Sequence, residues 1–209
     1  MKKQRIIPPQ LGELTPGDFF LDDEALYQDR TLQDSDQSYT TCENLIIQQS
    51  QLKNIQLVNS RLERFQAANV IFEKCDFSNC ELLGASLHQV EFRQCKLTGT
   101  NFAESYLRDC RFVDCLADYA SFSNSNLKNV AFSECRLTET DFYDLTWKAL
   151  AFKKCQLTRS NWLHTSLNKL DLSACDFEAI SISPEQLRGL VVNPAQALVI
   201  AAGLGLVIE

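Results

Sequence analysis

The chain has 209 residues, of which 45% are hydrophobic and 22% charged, with a formal net charge of −7. That composition fits one substantial domain with small end pieces and excludes global disorder. The negative charge excludes a general nucleic-acid binder, which needs a basic surface, so no direct nucleic-acid binding is expected.

The opening stretch MKKQRIIPPQ is basic but lacks the apolar run of a secretory signal. The longest apolar run, LVIAAGLGLVI at 198–208, is too short for a bilayer, which takes about 20 residues. A cytoplasmic protein without membrane association is the expectation, and with it reduced thiols for the nine cysteines. Residues 1–39 carry Pro8, Pro9 and Pro16 and read as an irregular N-terminal cap segment. Within it, DFFLDDEAL at 18–26 suits a short helix or a wrap around the first coil. Either would cover an edge that otherwise invites strand pairing.

From Cys42 to Ile182 the sequence keeps one period. Every fifth residue is apolar at 29 consecutive positions, and 22 of these are Leu or Phe, a phase too regular for chance. Two residues before each lies a second uncharged position, and every Asp, Glu, Lys and Arg from 41 to 182 falls on the other three. A five-residue period suits neither a helix nor simple strand alternation. Two inward and three outward positions describe a solenoid whose side is five residues long. Cys75, Cys95, Cys115, Cys135, Cys155 and Cys175 recur every 20 residues, as do Phe72, Phe92, Phe112, Phe132 and Phe152. Four pentapeptides therefore make one coil. The expected architecture is all-β: a four-sided rod over residues 40–187, about seven coils and roughly 34 Å long at the strand spacing.

Eight of the nine cysteines occupy the small inward position and Cys42 the large one. A free thiol there is a small, buried hydrophobe. Zinc would need four ligands converging on one point, whereas these thiols are spread along an axis. No metal and no cofactor is expected. His88 and His164 take outward positions on adjacent sides, as surface residues, and no phosphate-binding glycine loop occurs. Nothing in the repeat supplies a dry, concave pocket to tune a carboxylate. There are no candidate catalytic residues, and the chain reads as a binding protein rather than an enzyme.

Residues 188–209 close the chain differently. Asn193 suits a helix cap, Pro194 a first helical position, and Gly203 or Gly205 a stop. Between them AQALVIAA has one polar residue, Gln196. A short helix that is apolar all round must be buried. The end of the solenoid can cover one side and a second subunit the other. The predicted homodimer contact comprises Leu190, Val192, Pro194, Ala195, Leu198, Val199, Ala202, Leu204 and Leu206.

The segments CDFSN, TNFAE, ASFSN, SNLKN, TDFYD and CDFEA resemble the pentapeptide-repeat proteins, and the resemblance covers about residues 40–187. It implies a right-handed quadrilateral parallel β-helix. The C-terminal stretch, from SNWLHTSLNKLDLSACDF to EQLRGLVVNPAQALVIAAGLGLVIE, is similar to the end of the Qnr-type members. That likeness implies a rod dimerised end to end through a C-terminal helix. It further implies a protein that binds DNA gyrase or topoisomerase IV, resembles DNA in shape and charge, and protects the enzyme from quinolones. Residues 40–182 hold no interruption of phase, so the projecting loops of many Qnr-type proteins are absent. The alternative is a scaffold or immunity-type adaptor whose partner is unrelated to gyrase.

A DNA-like rod needs outward carboxylates, and 104–144 supplies them. Glu104, Asp109, Asp114, Asp118, Glu134, Glu139, Asp141 and Asp144 stand against four bases, Arg108, Arg111, Lys128 and Arg136. With Glu81 these are the candidate partner-binding residues. Counting by 20, Glu81, Glu104, Asp141 and Asp144 share one side. Residues 145–170 are the opposite, with Lys148, Lys153, Lys154, Arg159 and Lys169 and no acid.

Overall fold

The computed structural model describes residues 6–208. The first five residues of the expected N-terminal segment, and the last of the C-terminal one, therefore lie outside it. The described chain is a four-sided parallel β-helix of about eight turns with one short helix at its C-terminal end. Each step around the rod advances the register by 20 residues, as in Leu87↔Leu107 and Leu127↔Trp147. In the turn that begins at residue 80, we call 80–84 the first side, 85–89 the second, 90–94 the third and 95–99 the fourth. The second and third sides together form the eight-residue strands, such as Ser86–Arg93 and Tyr106–Val113. The fourth is held by single bridges, the first by single bridges and, toward either end, by the three-residue ladders Thr41–Glu43 with Arg61–Glu63 and Ser160–Trp162 with Ile180–Ile182. Both have turns closed with i→i+3 bonds, as Cys80 N to Phe77 O at 2.9 Å.

What bends the chain is its fifth residue. From Glu24 to Lys169 every fifth position has positive φ, in 28 non-glycine residues and at Gly84 and Gly99. Left-handed backbone penalises most side chains, and Asn and Asp tolerate it best because they bond locally. Asn44, Asn54, Asn59, Asp109, Asp114 and Asn124 are among these corners. The run starts at Glu24, which is why there are about eight turns rather than the seven expected from residue 40. The 18–26 stretch is no helix; it wraps the first coil, with Phe19 and Leu21 buried across its end. Gln37, the polar residue at an inward position, accepts a bond from the Leu21 amide at 3.2 Å and so anchors that wrap.

The interior is two columns of rings. Phe72, Phe92, Phe112, Phe132 and Phe152 stack at 4.6 to 5.0 Å between centroids. Phe102, Phe122, Phe142 and Trp162 form the other stack, and the two meet edge-on at 5.5 to 6.2 Å. Stacked and edge-to-face contacts are both favourable beyond area burial. All nine thiols are free and buried. Cys95, Cys115 and Cys135 each donate at 3.4 Å to the carbonyl of a phenylalanine one turn back. Burial pushes the Cys80 and Cys110 thiols up to about 12, so they stay protonated and unreactive.

Before the first coil the chain turns back along the rod. The Gln10 amide bonds Asn69, the Ile7 amide bonds Asp109, and Arg111 donates to the Ile6 carbonyl, at 3.1, 3.2 and 3.1 Å. Residues 6–14 thus climb the corner between the second and third sides.

At the other end the helix Pro194–Gly203 starts at Asn193 with a capping box to Gln196. It stops in a paired-bond turn: Leu206 N reaches Ala201 O, Gly205 N reaches Ala202 O, and Gly205 takes positive φ. Its one buried residue is its polar one. Gln196 Nε2 donates to Leu172 O at 2.9 Å and Cys175 O at 2.6 Å, satisfying carbonyls of the last coil. No helix among the described residues is long and apolar enough to cross a membrane.

Candidate partner surfaces

The nine outward acids are divided by the fold. On the first side Glu81, Asn101, Ser121, Asp141 and Asn161 form one bridged column. Glu104 and Asp144 sit at corners of the same side, 40 residues and hence two turns apart. Among the described residues none of these four carboxylates makes an ion pair. Glu81 accepts from Asn101 Nδ2 at 2.8 Å. Asp141 accepts from Ser123 Oγ at 2.7 Å and Asn161 Nδ2 at 3.0 Å. No Lys or Arg occupies the outward positions of this side from Glu81 to His164. The Tyr143 ring meets His164 edge-on at 5.1 Å beside this acidic strip.

The other five acids lie elsewhere. Asp109, at the second-side corner, is 1% exposed beneath the N-terminal segment, bonded by the Ile7 amide and by Asn129 Nδ2 at 3.0 Å. Asp114 and Glu134 are third-side corners; the first accepts from Gln94 at 3.1 Å and the second pairs with Lys154 at 3.1 Å. Asp118 and Glu139 are on the fourth side, paired with Arg136 and, at 2.8 Å, with Arg159. The sequence places nine carboxylates in one candidate set; the coil brings four of them together.

The basic stretch 145–170 is divided in the same way, because Lys154 and Arg159 are the partners just named. The signal was available: Glu134 and Lys154, and Glu139 and Arg159, are 20 residues apart, which is one turn. Lys53–Glu73 and Asp76–Lys96 follow the same rule at 3.3 and 3.2 Å. Burial pushes the Asp76 carboxyl up, but the Ser78 hydroxyl and amide, with Lys96, hold it below its ordinary value.

The second surface is the C-terminal end. Of the nine predicted contact residues, Leu190 and Val199 are half-buried against the core and Val192 is half-buried, while Pro194, Ala195, Leu198, Ala202, Leu204 and Leu206 are exposed. Leu198 is 54%, Leu206 63% and Val207 90% exposed. A groove of about 470 Å³ runs between Leu198, Val199 and Ala202 and the Glu178–Ile180 chain. Contiguous exposed apolar surface of this kind marks an interaction site. Among the described residues no cluster of three or more His, Cys, Asp and Glu could hold a metal ion.

A family model described as the pentapeptide repeat region matches residues 45–105 and 85–162. No curated protein matches the sequence. Among solved structures, full-length QnrB1, a plasmid-mediated fluoroquinolone resistance protein, is 14% identical. It aligns over 91% of this chain and 100% of its own, with a TM-score of 0.41. A trypsin-treated form of QnrB1 is 15% identical over 92% and 98%, with a TM-score of 0.42. HetL, involved in heterocyst differentiation regulation in the cyanobacterium Nostoc sp. strain PCC 7120, is 12% identical over 81% and 90%, at 0.35.

Proposed function

The chain belongs to the pentapeptide-repeat family, and we propose that it binds a type II topoisomerase, DNA gyrase or topoisomerase IV, and lowers the action of quinolones on it. The observation that carries this reading is the first side of the rod. Four carboxylates, Glu81, Glu104, Asp141 and Asp144, stand there without an ion pair among the described residues and without a base between them along the side. A basic DNA-binding saddle is attracted to a rigid array of negative charge, and clefts of one sign focus that attraction. The exposed apolar helix face at the C-terminal end supports a symmetric dimer, which would double the length of the rod. The role is binding rather than catalysis. Corners run unbroken from Glu24 to Lys169, so contact is through the sides of the rod and not through projecting loops.

The test is gyrase supercoiling at an inhibitory quinolone concentration, with the purified chain titrated in. Supercoiling is expected to recover at protein concentrations below those that inhibit drug-free gyrase. The variant E81K/E104K/D141K/D144K is expected to lose that recovery. Supercoiling that stays inhibited at every concentration would assign the rod to a partner unrelated to gyrase. Recovery undiminished in the charge-reversed variant would remove the first side from the contact.

A further inference from the structure

The second side carries a ladder that the acidic reading does not use. His88, Arg108, Lys128 and Lys148 are register partners on successive strands. One basic side chain therefore lies directly above the next, at about 4.8 Å. Like charges placed directly opposite repel, and the chain does little to relieve them. Among the described residues, only Arg108 of the four meets a carboxylate, Asp109 at 3.5 Å. That carboxylate is the sole acid at an outward position of this side from Ile46 to Lys169. It is also the one buried under the N-terminal segment.

A second column runs alongside. Ser86, Tyr106, Asn126 and Thr146 are likewise register partners, and all four are exposed, Tyr106 at 64%. A depression of about 300 Å³ lies between the columns, bounded by Ser86, Arg108, Asn126 and Lys128 among others. Cations flanked by hydroxyl and amide donors are the side chains that hold phosphate oxygens.

We propose that this side binds the phosphate backbone of a nucleic-acid duplex without reading its sequence. The donors form a straight, rigid array. Four rungs span about 14 Å, the rise of about four nucleotides along one strand. The expectation of no nucleic-acid binding follows from the charge of the whole chain, whereas the contact needs only one side. The topoisomerase reading is not a premise here: the acidic and basic sides can be altered separately, and each has its own assay.

The test is fluorescence anisotropy of a labelled duplex titrated with the full chain between about 50 and 200 mM salt. Binding is expected at the low end, with log affinity falling against log salt at a slope of about −3, the value for three to four phosphates. R108E/K128E/K148E should weaken binding by more than about tenfold, and R108Q/K128Q/K148Q, which removes charge without reversing it, should also weaken it. The equal charge change on the other sides, K53E/K74E/K96E, should leave it nearly unaltered. Absence of binding at low salt, or loss of binding equal in the two Glu triples, overturns the proposal. Poly-glutamate competing as well as unlabelled DNA at equal charge also overturns it, and assigns the ladder to acidic proteins.

Discussion

The corner residue of each pentapeptide carries the conformational cost of the rod. A left-handed residue with a Cβ is disfavoured by about 1–2 kcal/mol, and the chain accepts this at 28 non-glycine positions. Asn and Asp soften it; Ala149, exposed and at φ 58°, does not. Ala149→Gly is therefore expected to stabilise the protein by about 0.5–1 kcal/mol, the reverse of the usual cost of glycine in a strand. Urea unfolding of the two proteins checks it, and a destabilised variant would mean the corner is not strained. The inward residues were legible from spacing alone, because burial repeats every five. The corners were harder to see. Their signature is conformational and is met by Lys74, Arg159 and His164 as well as by Asn and Asp, so no single residue type marks it.

Among the elements, the C-terminal helix shows what a pattern can and cannot reveal. Its existence was readable from Asn193, Pro194 and the glycines that follow. Its orientation was not, since a segment apolar on every side has no stripe to turn inward. The side that docks is chosen by Gln196, whose amide fills the last carbonyls of the coil. Gln196→Leu keeps the volume and removes both bonds, together with the capping bond that the Asn193 amide donates. It should cost about 2–3 kcal/mol, since buried acceptors left unpaired are expensive. Equilibrium unfolding measures this, and a loss under about 0.5 kcal/mol would show that water replaces the amide. The charge pairs between coils tell the opposite story. Lys53–Glu73, Asp76–Lys96, Glu134–Lys154 and Glu139–Arg159 were readable once one turn is counted as 20 residues. Glu43–Arg64 and Asp118–Arg136, 21 and 18 apart, were not, and a linear tally of net charge along 104–170 hides both kinds.

For the whole molecule, the exposed apolar end predicts association. Light scattering behind size exclusion should give twice the chain mass of 23.7 kDa, and L198R/L206R should give the mass of one chain. A monomeric parent protein would leave the C-terminal patch to a different partner. The fold class, the four sides and the side shared by Glu81, Glu104, Asp141 and Asp144 all followed from period five within period 20. The missing turn at the N-terminal end did not, because Tyr27 and Gln37 replace Leu or Phe at inward positions.

The equality of the turns has an architectural consequence. Because each turn repeats the register of the one before, the rod is graduated like a ruler, and its marks are the side chains of each column. Removing residues 120–139 would shorten it by one division, about 4.8 Å, and leave every inward residue seated. The outer faces would be rewritten instead. Asp144 would stand directly on Glu104 and Lys148 on Arg108, while inside Phe152 would simply take its place on Phe112. Length and surface pattern can thus change in whole steps while the interior stays the same, so a rod of this kind can be refitted to a longer or shorter partner without learning to fold again.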